Sequence, residues 1–358
     1  MKQKLLTLAT VLALCISLAG CTISTPDTVG TVGDQEISSG LYLLAQFDAY
    51  QQAAQYAGED QDPSNVKSFL KATITTDEGE SVTVSNFVAQ TTEEDLRRYV
   101  AVENRFAELA DELDPDYVSQ ADSYTQQLME NYGDIYAANG IGEETIRQYE
   151  YNLSKQASLI NLIYGQDGSD PLTDQQLTDH LENEMLYIRY VTVPLYNTST
   201  FAFADEDQTA QMLQLAKDAA AASTPDTFDQ VVAEALPDIY AVLESEVSAE
   251  DAAAQLGSSF LSQDELDGYF ADEDAETLRG LAFGDSCAVQ YGSSSILIAM
   301  RMDPLETLTL DTLRTTILSD MATDLVEADM EEAGAALTVS LDQSAMDKLP
   351  ASKIKMSV

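Results

Sequence analysis

The sequence predicts an α+β protein that is mostly helical, and three observations lead there. Apolar residues recur at helical spacing through residues 92–164 and again through 308–330. Residues 185–194 (Met-Leu-Tyr-Ile-Arg-Tyr-Val-Thr-Val-Pro) alternate instead, as a half-buried strand does. Two further strands, Cys287–Tyr291 and Ser295–Met302, close the stretch that this strand opens, so that region reads β-α-α-…-β-β.

The chain starts with an address. Lys2 and Lys4 precede Leu5–Ala19, an apolar run without charge that is shorter than a comfortable membrane span. It ends in Leu18-Ala19-Gly20-Cys21, which resembles the lipobox of bacterial lipoproteins. Residues 1–20 are therefore expected to be removed, Cys21 to be acylated, and 21–27 to serve as a linker. Two or three acyl chains on Cys21 anchor stably where a single chain does not. No later stretch approaches 18 consecutive apolar residues.

Residues 28–37 read as a hairpin turning at Gly33-Asp34. Ser38 or Ser39 then caps a helix carrying Leu43, Phe47 and Tyr50. Residues 58–65 form a loop, and Ile74–Val84 a second small hairpin around Asp77-Glu78-Gly79. Thr92 reads as the cap of a helix holding Leu96, Tyr99, Phe106, Leu109 and Leu113, stopped by Pro115. A helix over Tyr117–Ala138 follows, then a break at Gly140 and Gly142, then a third helix through Tyr164. After a boundary at Gly165–Pro171 come a short helix (Leu172–Asn183), the strand, and helices over Gln208–Ala222 and Thr227–Leu236. Gly257-Ser258-Ser259 reads as a turn, Asp264–Leu281 as partly helical, Leu308–Met330 as one long helix and Leu337–Leu341 as a terminal strand.

Charge excludes whole classes of partner. Sixty-two acidic residues face 17 basic ones, a net charge of −45; loss of Lys2 and Lys4 with the signal segment takes it to −47. A polyanionic surface repels phosphates, so nucleic acid is excluded, and docking through a basic patch on anionic lipid is excluded with it. With three cysteines, of which Cys15 leaves with the signal segment and Cys21 is acylated, Cys287 is the one free thiol expected and no disulfide forms. A single histidine, His180, rules out chemistry that needs two in one chain.

Several motifs lead nowhere. Ser64-x-x-Lys67 and Ser68-x-x-Lys71 have the serine-lysine spacing of penicillin-binding enzymes, but neither Ser-Asp-Asn nor Lys-Thr-Gly follows. Gly284-Asp285-Ser286 resembles an esterase nucleophile block that needs a later histidine, and none exists after His180. The acidic residues from Asp264 to Glu276 lack the ordered spacing of a calcium loop and read as a solvated face. No metal site and no cofactor is expected.

A resemblance takes hold in three places: Val32-Gly33-Asp34-Gln35-Glu36-Ile37-Ser38 before an amphipathic helix, the helical run Leu96–Tyr164 with its Gly-Ile-Gly-Glu-Glu interruption, and Tyr187–Met302. Together they resemble the SurA/PrsA-like extracytoplasmic foldase-chaperones, the last stretch looking like a parvulin (rotamase) domain through Leu186–Val193, Ala216, Ala219, Phe228 and Leu281-x-x-Gly284. The resemblance implies a discontinuous helical chaperone domain, residues 28–168 with 304–358, and a parvulin-like α+β domain, 172–303, inserted between. Thr28–Val32 and Leu337–Leu341 would share a sheet. It also implies an isomerase pocket with two histidines, where this chain places Tyr190 on the first strand and Ser294 or Ser295 on the last. The pocket is therefore expected to be degenerate, with Phe260, Phe270 and Phe283 as remaining apolar candidates. The implied function is a membrane-anchored factor that binds unfolded exported polypeptides. An active prolyl isomerase with a histidine-free pocket, and an envelope lipoprotein with one dedicated partner, stay open as alternatives.

Overall fold

A computed structural model describes residues 26–77 and 79–357; the expected signal segment and the expected lipidation site Cys21 lie outside them. The class is α+β, with two small sheets, a short hairpin and long helices. In chain order the elements are β1 (Thr28–Val32), β2 (Gln35–Ser38), α1 (Ser39–Gln55), α2 (Val66–Phe69), β3 (Thr73–Thr75), β4 (Ser81–Thr83), α3 (Val84–Leu109), α4 (Pro115–Ala138) and α5 (Glu143–Tyr164). There follow α6 (Asp174–Asn183), β5 (Leu186–Pro194), α7 (Glu206–Ala222), α8 (Phe228–Ala241), α9 (Ala249–Ala253), β6 (Gly257–Leu261), α10 (Gln263–Tyr269), α11 (Asp272–Arg279), β7 (Ser286–Tyr291) and β8 (Ser295–Arg301). Helix α12 (Leu310–Ala335), β9 (Val339–Leu341) and α13 (Gln343–Met346) complete the chain. Among the described residues no helix is long and apolar enough to cross a membrane.

The chain divides into two compact units. The first holds the described residues through Ile163, Asp167–Ser169 and everything from Thr323 on; the second holds Tyr164–Gln166 and Asp170–Ala322.

In the first unit the β1–β2 hairpin turns at Gly33, whose φ of +56° suits glycine. β1 also pairs antiparallel with β9, Gly30 opposite Leu341 and Val32 opposite Val339, which is the shared sheet expected from Thr28–Val32 and Leu337–Leu341. Ser38 caps α1 through its hydroxyl. Val29, Val32, Ile37, Leu41, Ala45, Leu96 and Val100 are buried together under this sheet, with Ala345 and Leu349 from the C-terminal end. The C-terminal residues are also tied to the α4–α5 corner: Asn139 donates to the Lys355 carbonyl and accepts from its amide.

The second unit is a four-stranded antiparallel sheet of order β6-β5-β8-β7 with helices on both faces. Val191, Val193, Ile296, Ile298 and Met300 pack against Met212 and Ala216 of α7 and Val232 and Leu236 of α8. Ile188, Val289, Leu297 and Ala299 point the other way, onto Leu266, Phe270 and Leu278 from α10–α11. Strand alternation sends neighbouring residues to opposite faces, so this two-sided burial explains the apolar density of β5 and β8.

Four sequence expectations change. Helix α3 starts at Val84, capped by Thr83, not at Thr92. Thr92 is buried within it and donates its hydroxyl to the Val88 carbonyl at 2.6 Å, the back-bonding that lets threonine sit mid-helix. The same helix ends at Leu109, and Pro115 opens the next helix rather than closing this one, with Asp114 as its cap. Helix α8 continues past Pro237 because Ile239 and Tyr240 bury in the core beyond it. Finally, Gly257-Ser258-Ser259 is not a turn but the start of β6, paired with Arg189 and Tyr190.

Gly30 sits at a register shift in β1 with φ +131°, and a Cβ there would lie 2.3 Å from the Ser340 carbonyl oxygen. Gly30→Ala is expected to cost at least about 2 kcal/mol of stability, through strain and a broken β1–β9 ladder. Gly33→Ala meets only the mobile end of Leu337 and costs about 1 kcal/mol. Denaturant melts of the two variants check the order; equal losses would mean the terminal ladder does not hold this unit together.

Candidate functional site

The antiparallel register decides which side chains meet on the sheet. Tyr190 pairs with Gly257 on one side and Ala299 on the other, and Ala299 pairs in turn with Cys287. One row therefore runs Gly257–Tyr190–Ala299–Cys287 across all four strands. Gly257 brings no side chain to the Tyr190 ring that lies beside it: a Cβ there would be in ordinary contact, 3.5 Å from its Cε1. Ala299 is fully buried. Burial, reinforced by Asp274, pushes the Cys287 thiol up to about 12, so it stays protonated and is no nucleophile. The row contains a phenol and a protonated thiol, and no base.

Ser294 and Ser295 lie elsewhere. Ser295 pairs with Pro194, four rungs along the ladder from Tyr190, and Ser294 is in the β7–β8 turn, where its carbonyl accepts from the Leu195 amide at 2.7 Å. Four rungs are about 13 Å, so neither serine faces Tyr190. The three phenylalanines also part. Phe260 packs on Tyr187 with ring centroids 4.6 Å apart; Phe270 is buried on the α10–α11 face beside Tyr291. Phe283 is half exposed under the Arg301 guanidinium, 4.9 Å from its ring centre. Each is held by a different neighbour.

His180 is half-buried and holds a partner. Its Nε2 lies 2.7 Å from Asp320 Oδ2, joining α6 to α12, beside a second link from Arg314 to Asp174. Asp320, some 140 positions away, carried no local sequence signal.

Two open concavities lie along α4. One, of about 650 Å³, runs between α4 and α5 and is lined by Asp122, Gln126, Met129, Glu130, Arg147 and Tyr151. Arg147 holds its wall together, reaching Glu143 at 2.5 Å, Glu144 at 2.9 Å and Asp122 at 3.4 Å. The other, of about 400 Å³, lies on the N-terminal half of α4 around Ser119, Ser123 and Tyr124. Helix α4 is 24 residues long, yet only Ala121 and Thr125 are buried in it. Tyr124 and Tyr132 are 49% and 53% exposed on it, with Leu153 of α5 also exposed.

Behind these helices sits a pair of carboxylates that periodicity did not single out. Asp48 interrupts the buried run of α1, between Phe47 and Ala49. Burial, then the charge of Asp95, pushes its carboxyl up to about 7. Asp95 on α3 is pushed up to about 6 by burial and Glu94, against the lowering effect of Arg98 at 2.7 Å. Burial pushes the Tyr149 phenol beside them up to about 12. The available sign was a lone carboxylate inside an apolar stripe.

No protein-family model and no curated protein matches the sequence. Among solved structures, the chain is similar to the foldase protein PrsA from Streptococcus pneumoniae str. Canada MDR_19A, at 14% identity and a TM-score of 0.36, covering 78% of this chain and 99% of that one. It is similar to the peptidylprolyl isomerase (PrsA) from Bacillus cereus at 13% identity and TM-score 0.25, over 78% and 99% of the two chains. A third, the foldase protein (PrsA) from Lactococcus lactis, shares 13% identity at TM-score 0.31 over 90% and 98%. Overlaps this loose fix neither the geometry nor the chemistry of this chain.

The carboxylate pair sets a pH dependence. A carboxyl whose pKa is raised on folding stabilises fully below its unfolded value and loses that contribution as pH rises through its folded value. For Asp48 the loss falls between about 4 and about 7. Asp48→Asn is expected to raise Tm at pH 8 by several degrees, at roughly 2–4 °C per kcal/mol, and to leave it unchanged at pH 4. Thermal melts at both pH values check this; an equal gain at both would show that ionisation is not the cause.

Proposed function

We propose that this chain is a lipid-anchored extracytoplasmic folding factor, tethered through Cys21, that holds unfolded or partly folded exported polypeptides. Its second unit is read as a parvulin-like domain whose isomerase chemistry has degenerated. Helix α4 carries the reading: a long helix that buries two of its residues, leaves Tyr124 and Tyr132 half exposed, and has two open concavities along it, one of them lined by Tyr124. Tyrosine offers a large apolar face with a polar tip, which suits loose binding to chains of varied sequence. The Gly257–Tyr190–Ala299–Cys287 row supports the loss of catalysis, since neither histidine of the isomerase pocket that the resemblance implies stands in it.

A histidine-free isomerase is a second reading, favoured by one observation: the Tyr190 phenol lies over Gly257, where no side chain covers it from β6. X-Pro rotation needs no nucleophile, so a shaped apolar surface beside a phenol is the minimum such a catalyst requires.

Two assays separate the readings. The full chain is expected to suppress aggregation of a denatured client at stoichiometric ratio, and Tyr124→Ser with Tyr132→Ser to weaken that several-fold without shifting Tm. In a proline-limited refolding assay, substoichiometric protein is expected to leave the slow phase unaccelerated. Acceleration that Tyr190→Phe abolishes would establish the isomerase instead, and failure to protect any client at equimolar ratio would end the folding-factor reading.

A further inference from the structure

Among the described residues only two non-glycine positions have positive φ, Phe201 at 56° and Glu244 at 54°. One buried side chain, Asn197, ties both loops together. Its Nδ2 donates to the Leu243 carbonyl at 2.8 Å, and its Oδ1 accepts from the amides of Ser199 and Thr200 at 2.9 Å. The Phe201 amide donates to the Asn197 carbonyl at 2.7 Å, and the Asn197 amide to that of Ala202 at 2.9 Å. These bonds close a tight reversal after β5 in which Tyr196 bridges Phe203.

The reversal points its aromatic rings outward. Phe201 and Phe203 are 73% and 70% exposed, the two most exposed large apolar side chains described. Tyr196 lies between them, stacked on Phe201 at 6.4 Å and tilted on Phe203 at 5.7 Å. A bulky aromatic in the left-handed region is a conformational outlier. Here the strain, fixed by a buried polar network, serves to keep a ring in water, which burial of apolar surface does not explain.

The surroundings are acidic. Asp205, Glu206 and Asp207 follow directly, Glu244 and Glu246 lie on the segment that Asn197 holds, and all are exposed. Between Arg189 and Arg279 the sequence has one basic residue, Lys217.

We propose that this tip is a docking site for an extended cationic segment of polypeptide. The rings take guanidinium planes and the alkyl stems of arginine and lysine, and the carboxylates take their charges. Anionic lipid is disfavoured by the same rim, which selects polypeptide over membrane. The inference names a substrate class for the proposed folding factor and rests on that reading only for the source of the segment.

The test uses the full chain and a fluorescent peptide of alternating arginine and leucine, with binding read by anisotropy. Phe201→Gly with Phe203→Ser is expected to weaken binding roughly tenfold, and Glu206→Gln with Glu244→Gln roughly threefold with a shallower salt dependence. A counterpart peptide with glutamate for arginine is expected to bind at least about tenfold more weakly. Phe201→Gly alone relieves the backbone strain, so it is expected to lose affinity while keeping or raising Tm; it decides the matter if the double variant unfolds. Unchanged affinity in Phe201→Gly, equal binding of the glutamate peptide, or phenylalanine-dependent binding to phosphatidylglycerol vesicles without peptide binding would each overturn the proposal. If wild type protects no denatured client yet binds the arginine peptide through Phe201, the folding-factor reading falls and the docking site stands. If clients are protected while peptide binding ignores Phe201, the docking site alone falls.

Discussion

The first unit depends on the ladder between β1 and β9. These strands lie at opposite ends of the described chain, and joining them closes a loop of roughly 300 residues, for which the entropic cost grows only with the logarithm of length. Three rungs would be a weak closure alone. They are backed by the Gly33 amide on the Thr338 carbonyl, the Asp342 amide on the Val29 carbonyl, and Arg97, which reaches the Leu337 carbonyl at 2.6 Å. Arg97 is held in turn by Glu93 one turn earlier. The residues of the second unit all lie between these two strands in sequence. The glycine at Gly30 is the point at which the two strand backbones come too close for any side chain.

Charge is the second constraint. With 62 acidic residues the chain is self-repelling, and many carboxylates are used locally where they do least harm. Asp114, Asp205, Asp303 and Asp342 cap helices through their side chains, and acids fill the first turns of α5, α7, α9 and α11, where the helix dipole favours them. Basic residues are correspondingly committed: Arg97, Arg98, Arg105, Arg147, Arg189, Arg279 and Arg314 each hold a carboxylate. The excess of carboxylates over basic residues leaves the chain strongly negative, at −45.

Much of the fold was legible because its signals are local. Gly33-Asp34 marked the first turn, Gly140 and Gly142 the break between long helices, and alternation the strand β5. Reading failed where two local signals competed. Thr92 looked like a cap because it precedes an apolar stripe, yet Thr83 caps the helix and Thr92 satisfies its own hydroxyl within it. Gly257-Ser258-Ser259 has turn composition and becomes a strand because Arg189 and Tyr190 offer it a ladder. The site was less legible, since register is a non-local property: nothing in the sequence says that Tyr190 meets Ala299 rather than Ser294 or Ser295, and only pairing settles it. Asp320 and Asn197 were hidden for the same reason, each acquiring its role from a distant partner.

The two kinds of aromatic surface differ in how they are held, and that bears on what they can do. On α4, Leu128, Met129, Ile135 and Tyr136 pack inward, while Tyr124 and Tyr132 ride half exposed on a regular helix, where their side chains are free to change rotamer. At the Tyr196–Phe203 reversal the backbone is over-determined by Asn197, and the rings are fixed before a ligand comes. A preorganised surface loses less entropy on binding and therefore discriminates more among ligands than an adaptable one. Under the two proposals, broad, weak binding along the helix and sign-selective binding at the tip would both follow from local backbone mechanics.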